Sequence, residues 1–591
     1  MSTDIENLFK DKVLGHPAGL FVIFFTEMWE RFSFYGMKIL LVLFLTAPFL
    51  SDNPGWEWSR ENALALIGTY SSLLYLTPIV GGWLADKITG YRWAVVIGCF
   101  IMMLGHLSMV FETTWSLYLG LALLVIGTGF FKPNMTSMIS ELYKGKESKK
   151  DGAYTIYYMG VNAGAFFGMM LCGYLAENIG WSYGFGLAGI FMLGGLIQFW
   201  LAKKLFGDIG GKPSLVHEVE IPQNINEESP VENEVVEKSN PFTFIDKILI
   251  IVSSIGGLLY LFNDPLSKIG NINLLNFNLV GLDGSSVTVL LSLLIFLYLI
   301  TSRIIRYTSL VRDRMIAVVL FGLFYVIFFS AFEQSLGSMT IFARDYTQRA
   351  LTGDSALVFK VIDTILTIVP LAIITWVLYL LFKKTSYKIP LSNIVLGLTF
   401  VFLWYVVYYK IHNEFSKDAT EVGASWFGIL NSLFIITLAP LFSKWWESKY
   451  NPSGAMKYSI GLFLLGTGFA VLVFGTMGIP QGAKTASVSM IFLILAYLFH
   501  TMGELCISPV GLSYLSKLVP SRMIGIMFGM WYLAIAIGNK AAGSLGGMID
   551  KVTEAYSLST FFLIFTLVPF GFGILVFLLN PVFKKLMHGV R

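Results

Sequence analysis

Long apolar runs, broken by short polar turns, fill nearly the whole chain, and none alternates with the period of a half-buried strand. A bilayer's hydrocarbon core takes about 20 mostly apolar residues of helix to cross. On that rule the pattern predicts helices at 18–50, 62–86, 92–111, 115–141, 153–176, 181–203, 244–264, 286–303, 314–343, 355–383, 390–411, 425–446, 457–477, 486–515, 522–548 and 557–582. Sixteen is an even number, so both termini are expected on one side. The short loops rich in Lys and Arg alternate with poor ones. Lys87 and Arg92, then Lys144, Lys146, Lys149 and Lys150, then Arg303, Arg306, Arg312 and Arg314, then Lys383, Lys384 and Lys388 fall on one side, with both chain ends. By the bias of cytoplasmic loops toward basic residues, that side is expected to be cytoplasmic. The expected location is therefore the cell (inner) membrane, with the lipid bilayer as surroundings.

One stretch breaks the pattern. Residues 207–240 are polar, and 214–239 are acidic without a Phe, Trp or Tyr. Such a segment cannot bury enough apolar surface to fold and reads as a linker. Expected units are a six-helix bundle over 1–203, a linker over 204–243 and a helix pair over 244–303. A first helix of the second bundle follows over 304–354, then another pair over 355–411 and the rest of the bundle over 412–591. Pro78 in the second helix and Pro133 in the fourth match Pro440 and Pro509 after the linker, a faint internal repeat of the kind transporters carry.

Composition removes the alternatives. Only 13% of the 591 residues are charged, against about 25% in soluble proteins, while 55% are hydrophobic. No water-soluble shell can be built from that, and nucleic-acid binding goes with it. Cys99, Cys172 and Cys506 lie in apolar stretches without ligand spacing and read as small buried hydrophobes. His106 and His500 lack ligand-spaced partners, so no metal or other cofactor is implied. DxxxD, HExxH, GxSxG and GxxxxGK are absent, which argues against a membrane enzyme or an ATP-driven pump.

Charges inside the helices carry the chemistry. Glu27, Glu30, Arg31 and Lys38 lie within the first run, and at about 100° per residue they share one arc with Tyr35. Each would cost about 2.5–3.5 kcal/mol facing lipid at mid-bilayer, so this face must look into protein or water. Lys132, Glu333 and Glu504 add further buried charges. Three cations then face four acids, an excess of one negative charge. Burial disfavours an uncompensated carboxylate, so one acid is expected to hold a proton at rest.

These residues carry a resemblance. Glu27-Met28-Trp29-Glu30-Arg31-Phe32-Ser33-Phe34-Tyr35-Gly36 is similar to the ExxER stretch of the proton-coupled oligopeptide transporters, within the major facilitator superfamily. Gly81-Gly82-Trp83-Leu84-Ala85-Asp86-Lys87, with Gly90 and Arg92, resembles the superfamily's loop motif. Gly127–Asn134, Tyr158–Gly164, Phe332-Glu333-Gln334 and Gly503–Gly511 resemble further family motifs in the same order. Two departures concern side chains: Lys38 stands where members often have Arg, and Phe329 where they often have Trp. Lys38 loses the bidentate fork, so its pairing with Glu333 is expected to be looser. The third departure is the pair 355–411, because the family normally inserts one helix pair, which 244–303 resembles.

The resemblance implies an all-α integral membrane protein with the major facilitator fold, two six-helix bundles plus two inserted pairs. It implies a proton-coupled symporter of di- and tripeptides, working by alternating access, and no enzyme. Glu27, Glu30, Arg31, Lys132 and Glu333 would couple protons, with a salt bridge such as one to Lys132 released on protonation. Arg31, Lys38 and Lys132 would face the peptide carboxylate, and Glu504, Asn431 and Asn162 its ammonium. Tyr35, Tyr70, Tyr158, Phe329 and Trp531 would line side-chain space, with Ser508 in the same motif as Glu504. Two or three extended residues span about 7–11 Å, which suits a pocket with separated charges. A same-fold carrier of nitrate, a drug or another anion, and a peptide sensor that does not transport, stand as alternatives. No oligomeric state is assigned.

Overall fold

A computed structural model of the chain describes residues 8–212, 240–519 and 523–590. The acidic stretch 214–239 lies outside the described residues. Sixteen long helices dominate the rest: α1 Ala18–Thr46, α2 Arg60–Leu84, α3 Tyr91–Met109, α4 Thr114–Leu142, α5 Lys150–Asn178 and α6 Trp181–Leu201 form the first bundle. The inserted pair α7 Phe244–Ile269 and α8 Gly284–Ile305 follows. Then come α9 Ser309–Phe332, a second inserted pair α10 Gly353–Thr385 and α11 Pro390–Phe415, and α12 Ile429–Glu447. The chain closes with α13 Gly454–Thr476, α14 Met490–Leu518, α15 Ile524–Gly546 and α16 Leu558–Leu586. Among the described residues, fourteen of these are long and apolar enough to cross a membrane by length and composition; α1, with its four charges, and α15 are the exceptions.

Local chemistry sets the ends. α1 stops at Thr46 rather than running to 50, because Ala47 precedes Pro48 and takes an extended conformation. α4 and α7 begin with reciprocal capping boxes, Thr113 with Ser116 and Thr243 with Asp246. The ninth helix does not run unbroken over 314–343. It stops at Phe332, tightens into a 3₁₀ turn over Glu333–Leu336, and resumes over Ser338–Asp345. A break of this kind inside a span re-aims side chains, and Glu333 sits on it.

The repeat extends to positions within the helices. Pro133 and Pro509 each occupy the twentieth position of a 29-residue helix, α4 and α14. Pro78 and Pro440 lie inside α2 and α12.

The two inserted pairs flank the bundles at different seams. Only 11% of the most apolar window of α7 or α8 is buried, against 83% for α5, so the pair presents most of its surface to lipid. Its inner edge meets both bundles: Thr69 of α2 donates to the Leu261 carbonyl (3.0 Å), and Asp264 of α7 pairs with Lys540 of α15. The second pair sits within the second half of the sequence yet packs on the first bundle. Trp29 and Phe400 meet edge to face at 5.4 Å, and Ser392 Oγ donates to the Gln198 carbonyl at 2.7 Å. Buried Asp363 of α10 pairs with Lys410 of α11, and it accepts a 2.9 Å bond from Trp426 Nε1 just before α12. That contact ties the pair to the α5–α12 seam.

Candidate functional site

α1 supplies the first wall. Glu27 and Arg31 stand one turn apart on it, the spacing at which helix side chains meet, and Arg31 Nε donates to Glu27 Oε1 at 2.7 Å. Glu30 Oε2 lies 2.9 Å from the same nitrogen as an ion pair. Glu27, Glu30 and Arg31 are all buried. Glu27 Oε2 and both Glu30 oxygens lack a hydrogen-bond donor among the described residues. Lys132 enters from α4 just before Pro133 and stands over the Tyr75 ring, 3.9 Å from its centroid. It is within electrostatic range of Glu30, Glu27 and Arg31. The carboxylates therefore take Arg31 as their partner in this conformation, and the salt bridge to Lys132 anticipated from the sequence is not formed.

The second bundle supplies a wall of opposite character. Glu504, midway along α14, accepts a 2.9 Å bond from Asn431 Nδ2 of α12. Asn431 also donates to Thr501 Oγ1 at 3.1 Å. Ser508 follows Glu504 by one turn on α14. Trp531 of α15 packs on Tyr325 at 4.5 Å between centroids, and Tyr325 on Phe329 at 4.5 Å. Tyr35 leans against Phe34, whose ring also lies within 6 Å of Arg31 and Lys38. Tyr158 is 44% exposed, which places it on an opening rather than in packing. Asn162 is buried and donates to the Tyr158 carbonyl of its own helix. Tyr70 is buried, and its hydroxyl has no partner among the described residues.

A closure runs across the two bundles toward the face opposite the termini. Lys38 lies seven residues beyond Arg31, roughly 10 Å along α1, and its ammonium meets Glu333 Oε2 at 2.9 Å. A lysine therefore makes this contact at full ion-pair distance without the arginine fork. Further out, Arg60 at the start of α2 holds both Asp345 and Asp550 at 2.7 Å. Between these levels α2 and α15 meet backbone to backbone: a Cβ on Gly68 would lie 2.9 Å from the Gly543 Cα. Only glycine admits that approach.

The sequence reading omits several of these partners. Tyr75, Thr501 and Tyr325 gave no signal beyond lying in apolar helices. Arg60, Asp345 and Asp550 sit at span ends, where charges are ordinary. Asp264, Asp363, Lys410 and Lys540 were detectable, since each falls in or beside an apolar run.

Comparison with known proteins bears on this arrangement. A family model described as the POT family matches residues 92–254 and 404–564, more than half of the chain. The chain is 30% identical to the peptide transporter YePEPT of Yersinia enterocolitica, over 93% of this chain and 91% of that one. This chain belongs to the POT family. It is also 27% identical to the di-/tripeptide transporter of Lactococcus lactis subsp. cremoris, over 99% of this chain and 100% of that one. A crystal structure of a peptide transporter POT in complex with sulfate covers 100% of both chains, with a TM-score of 0.69 and 25% identity. As a POT member the protein is a multi-pass membrane transporter and not an enzyme. The matched stretches leave out α8–α10 entirely, so most of both inserted pairs falls between them.

Proposed function

We propose that this transporter imports di- and tripeptides together with protons, by alternating access. The observation that carries the reading is the opposition of two walls. Arg31 and Lys132 stand on the first bundle, and Glu504, held among the described residues by the neutral Asn431 amide, stands on the second. A zwitterion with separated ends fits between them: its carboxylate on Arg31 and Lys132, its ammonium on Glu504, Asn431 and Asn162. The aromatic side chains Tyr35, Tyr158, Phe329 and Trp531 would accept varied side chains. The relatives named as peptide and di-/tripeptide transporters support the same substrate class.

Proton coupling follows from the crowded first wall. Two carboxylates share one guanidinium, which leaves this cluster with one negative charge in excess. Burying that excess negative charge is costly, and a proton neutralises it. Protonation there would release Arg31 toward the substrate. The Lys- and Arg-rich face with both termini is cytoplasmic in this proposal. The Lys38–Glu333 and Arg60–Asp345–Asp550 contacts then close the periplasmic side, and the conformation faces inward.

Reconstituted protein should accumulate labelled dialanine under an inward proton gradient, with tripeptides competing and free amino acids competing poorly. Accumulation of nitrate in place of dialanine would favour the anion carrier instead, and peptide binding without uptake would favour the sensor.

A further inference from the structure

The repeat places the α2–α3 turn and the α12–α13 turn at equivalent positions, and their surroundings differ. In the first bundle the chain fills its own end. Arg92 donates to the Gly207 carbonyl (2.9 Å) and takes a backbone bond to Gly210, and Glu141 of α4 accepts the Gly210 N–H at 2.8 Å. Gly90, at φ +73°, lies so close that a Cβ would meet the Gly211 carbonyl oxygen at 2.1 Å.

In the second bundle the same place is a cavity of about 800 Å³, bounded by the α12–α13 turn, α14, α16 and the segment that follows it. Four lysines line it: Lys449, Lys457, Lys517 and Lys584. No Asp or Glu is among the described residues that do. The substitutions follow the repeat. Glu141 is residue 28 of α4, and Lys517 is residue 28 of α14. Buried Ala94 is the fourth residue of α3, and Lys457 is the fourth of α13. Lys457 is 93% buried, stands over the Trp446 ring at 4.4 Å, and faces a cavity with no Asp or Glu among its described lining residues. Nearby acids are engaged elsewhere: Glu447 accepts from Ser443, and Asp313 meets His588 at 2.9 Å. The N-terminus of α13 opens into the same space, with Gly454 and Ala455 on its wall, and such a terminus favours anions. Asn580 lines it and accepts a bond from the Ser453 hydroxyl at 2.7 Å.

We propose that this cavity is an anion site for a phosphate group, separate from the transport pathway. On α14 its lining runs from Pro509 to Lys517, five to thirteen residues beyond Glu504, or about 7 to 20 Å along the helix. A buried ammonium with no anionic partner is costly to keep, and a phosphate takes the place that the chain's own loop takes in the first bundle. The group belongs either to an anionic lipid headgroup or to a soluble phosphate.

The test follows thermal unfolding of the full-length protein in neutral detergent at constant ionic strength. Two probes are titrated, inorganic pyrophosphate and dioctanoyl-phosphatidylglycerol, with dioctanoyl-phosphatidylcholine as the uncharged control. The midpoint should rise saturably with an anionic probe and not with the control. Lys457→Met should weaken half-saturation about tenfold or more, the scale of one lost charge-assisted contact. A rise with pyrophosphate identifies a soluble phosphate as sufficient, and a rise with the glycerol lipid alone identifies the headgroup. No rise with either probe overturns the site, as does equal half-saturation in Lys457→Met. Should that variant not fold, the double variant Lys449→Ala/Lys584→Ala, at two exposed positions, decides: severalfold weaker binding supports the site and unchanged binding overturns it.

Discussion

The two walls of the central site hold their charges differently. On the first bundle the charges are self-contained: Glu27 and Glu30 of α1 close on Arg31, and Lys132 of α4 rests on an aromatic face nearby. On α14, Glu504 accepts a hydrogen bond from the Asn431 amide and meets no cation among the described residues. A carboxylate satisfied by a neutral amide keeps its charge available to an incoming cation. A carboxylate already paired must first be released. In the proposed function the first wall would act as the switch and the second as the receptor, which would separate coupling from recognition.

The largest expected effect comes from removing the receptor. Glu504→Gln should cut dialanine uptake by about 10- to 100-fold, because a charge-assisted bond is worth about 1.5–3 kcal/mol. N-acetylated dialanine should already be a poor substrate of the unmodified protein. Equal uptake of the acetylated and free peptides would remove the amine from the account. Lys132→Ala should lose nearly as much, since it strips a carboxylate contact and alters the charge balance of the switch. There both the uptake rate and its response to the gradient should fall.

A smaller effect is expected at the closure. Lys38→Glu or Glu333→Lys alone should leave two like charges facing each other and slow transport. The swapped double variant should recover part of the lost rate. A double variant no better than the worse single would show that the 2.9 Å contact does not gate the cycle.

How much of this was readable beforehand depends on which force set it. Hydropathy alone predicted sixteen helices, and the ExxER spacing placed Glu27, Glu30 and Arg31 on one face. The docking of α10–α11 on the first bundle was not readable. Lipid and a neighbouring helix ask for the same apolar surface, so pattern cannot say which one a helix will meet. The break at Glu333 and the pairing of Arg31 with both acids likewise depend on tertiary contacts. Lys410 and Asp363 were readable as intramembrane charges, though their pairing and the bond from Trp426 to Asp363 depend on the fold.

Those last residues give the smallest predicted transport effect and the sharpest control. Asp363→Leu should destabilise by about 3–5 kcal/mol, the usual cost of stranding a buried charge. Asp363→Leu with Lys410→Leu should recover most of that stability, read as the unfolding midpoint, and keep coupled uptake. Loss of proton coupling in a stable double variant would mean that the seam charges belong to the switch as well.

The central claim is that the first wall carries the proton. It is tested most directly by measuring, in the same proteoliposomes, dialanine accumulation under an inward proton gradient and dialanine counterflow at symmetric pH, for the unmodified protein and Glu30→Gln. The substitution fixes the neutral state that protonation would produce. The account predicts that Glu30→Gln loses gradient-driven accumulation and keeps counterflow. Accumulation equal to that of the unmodified protein would contradict it.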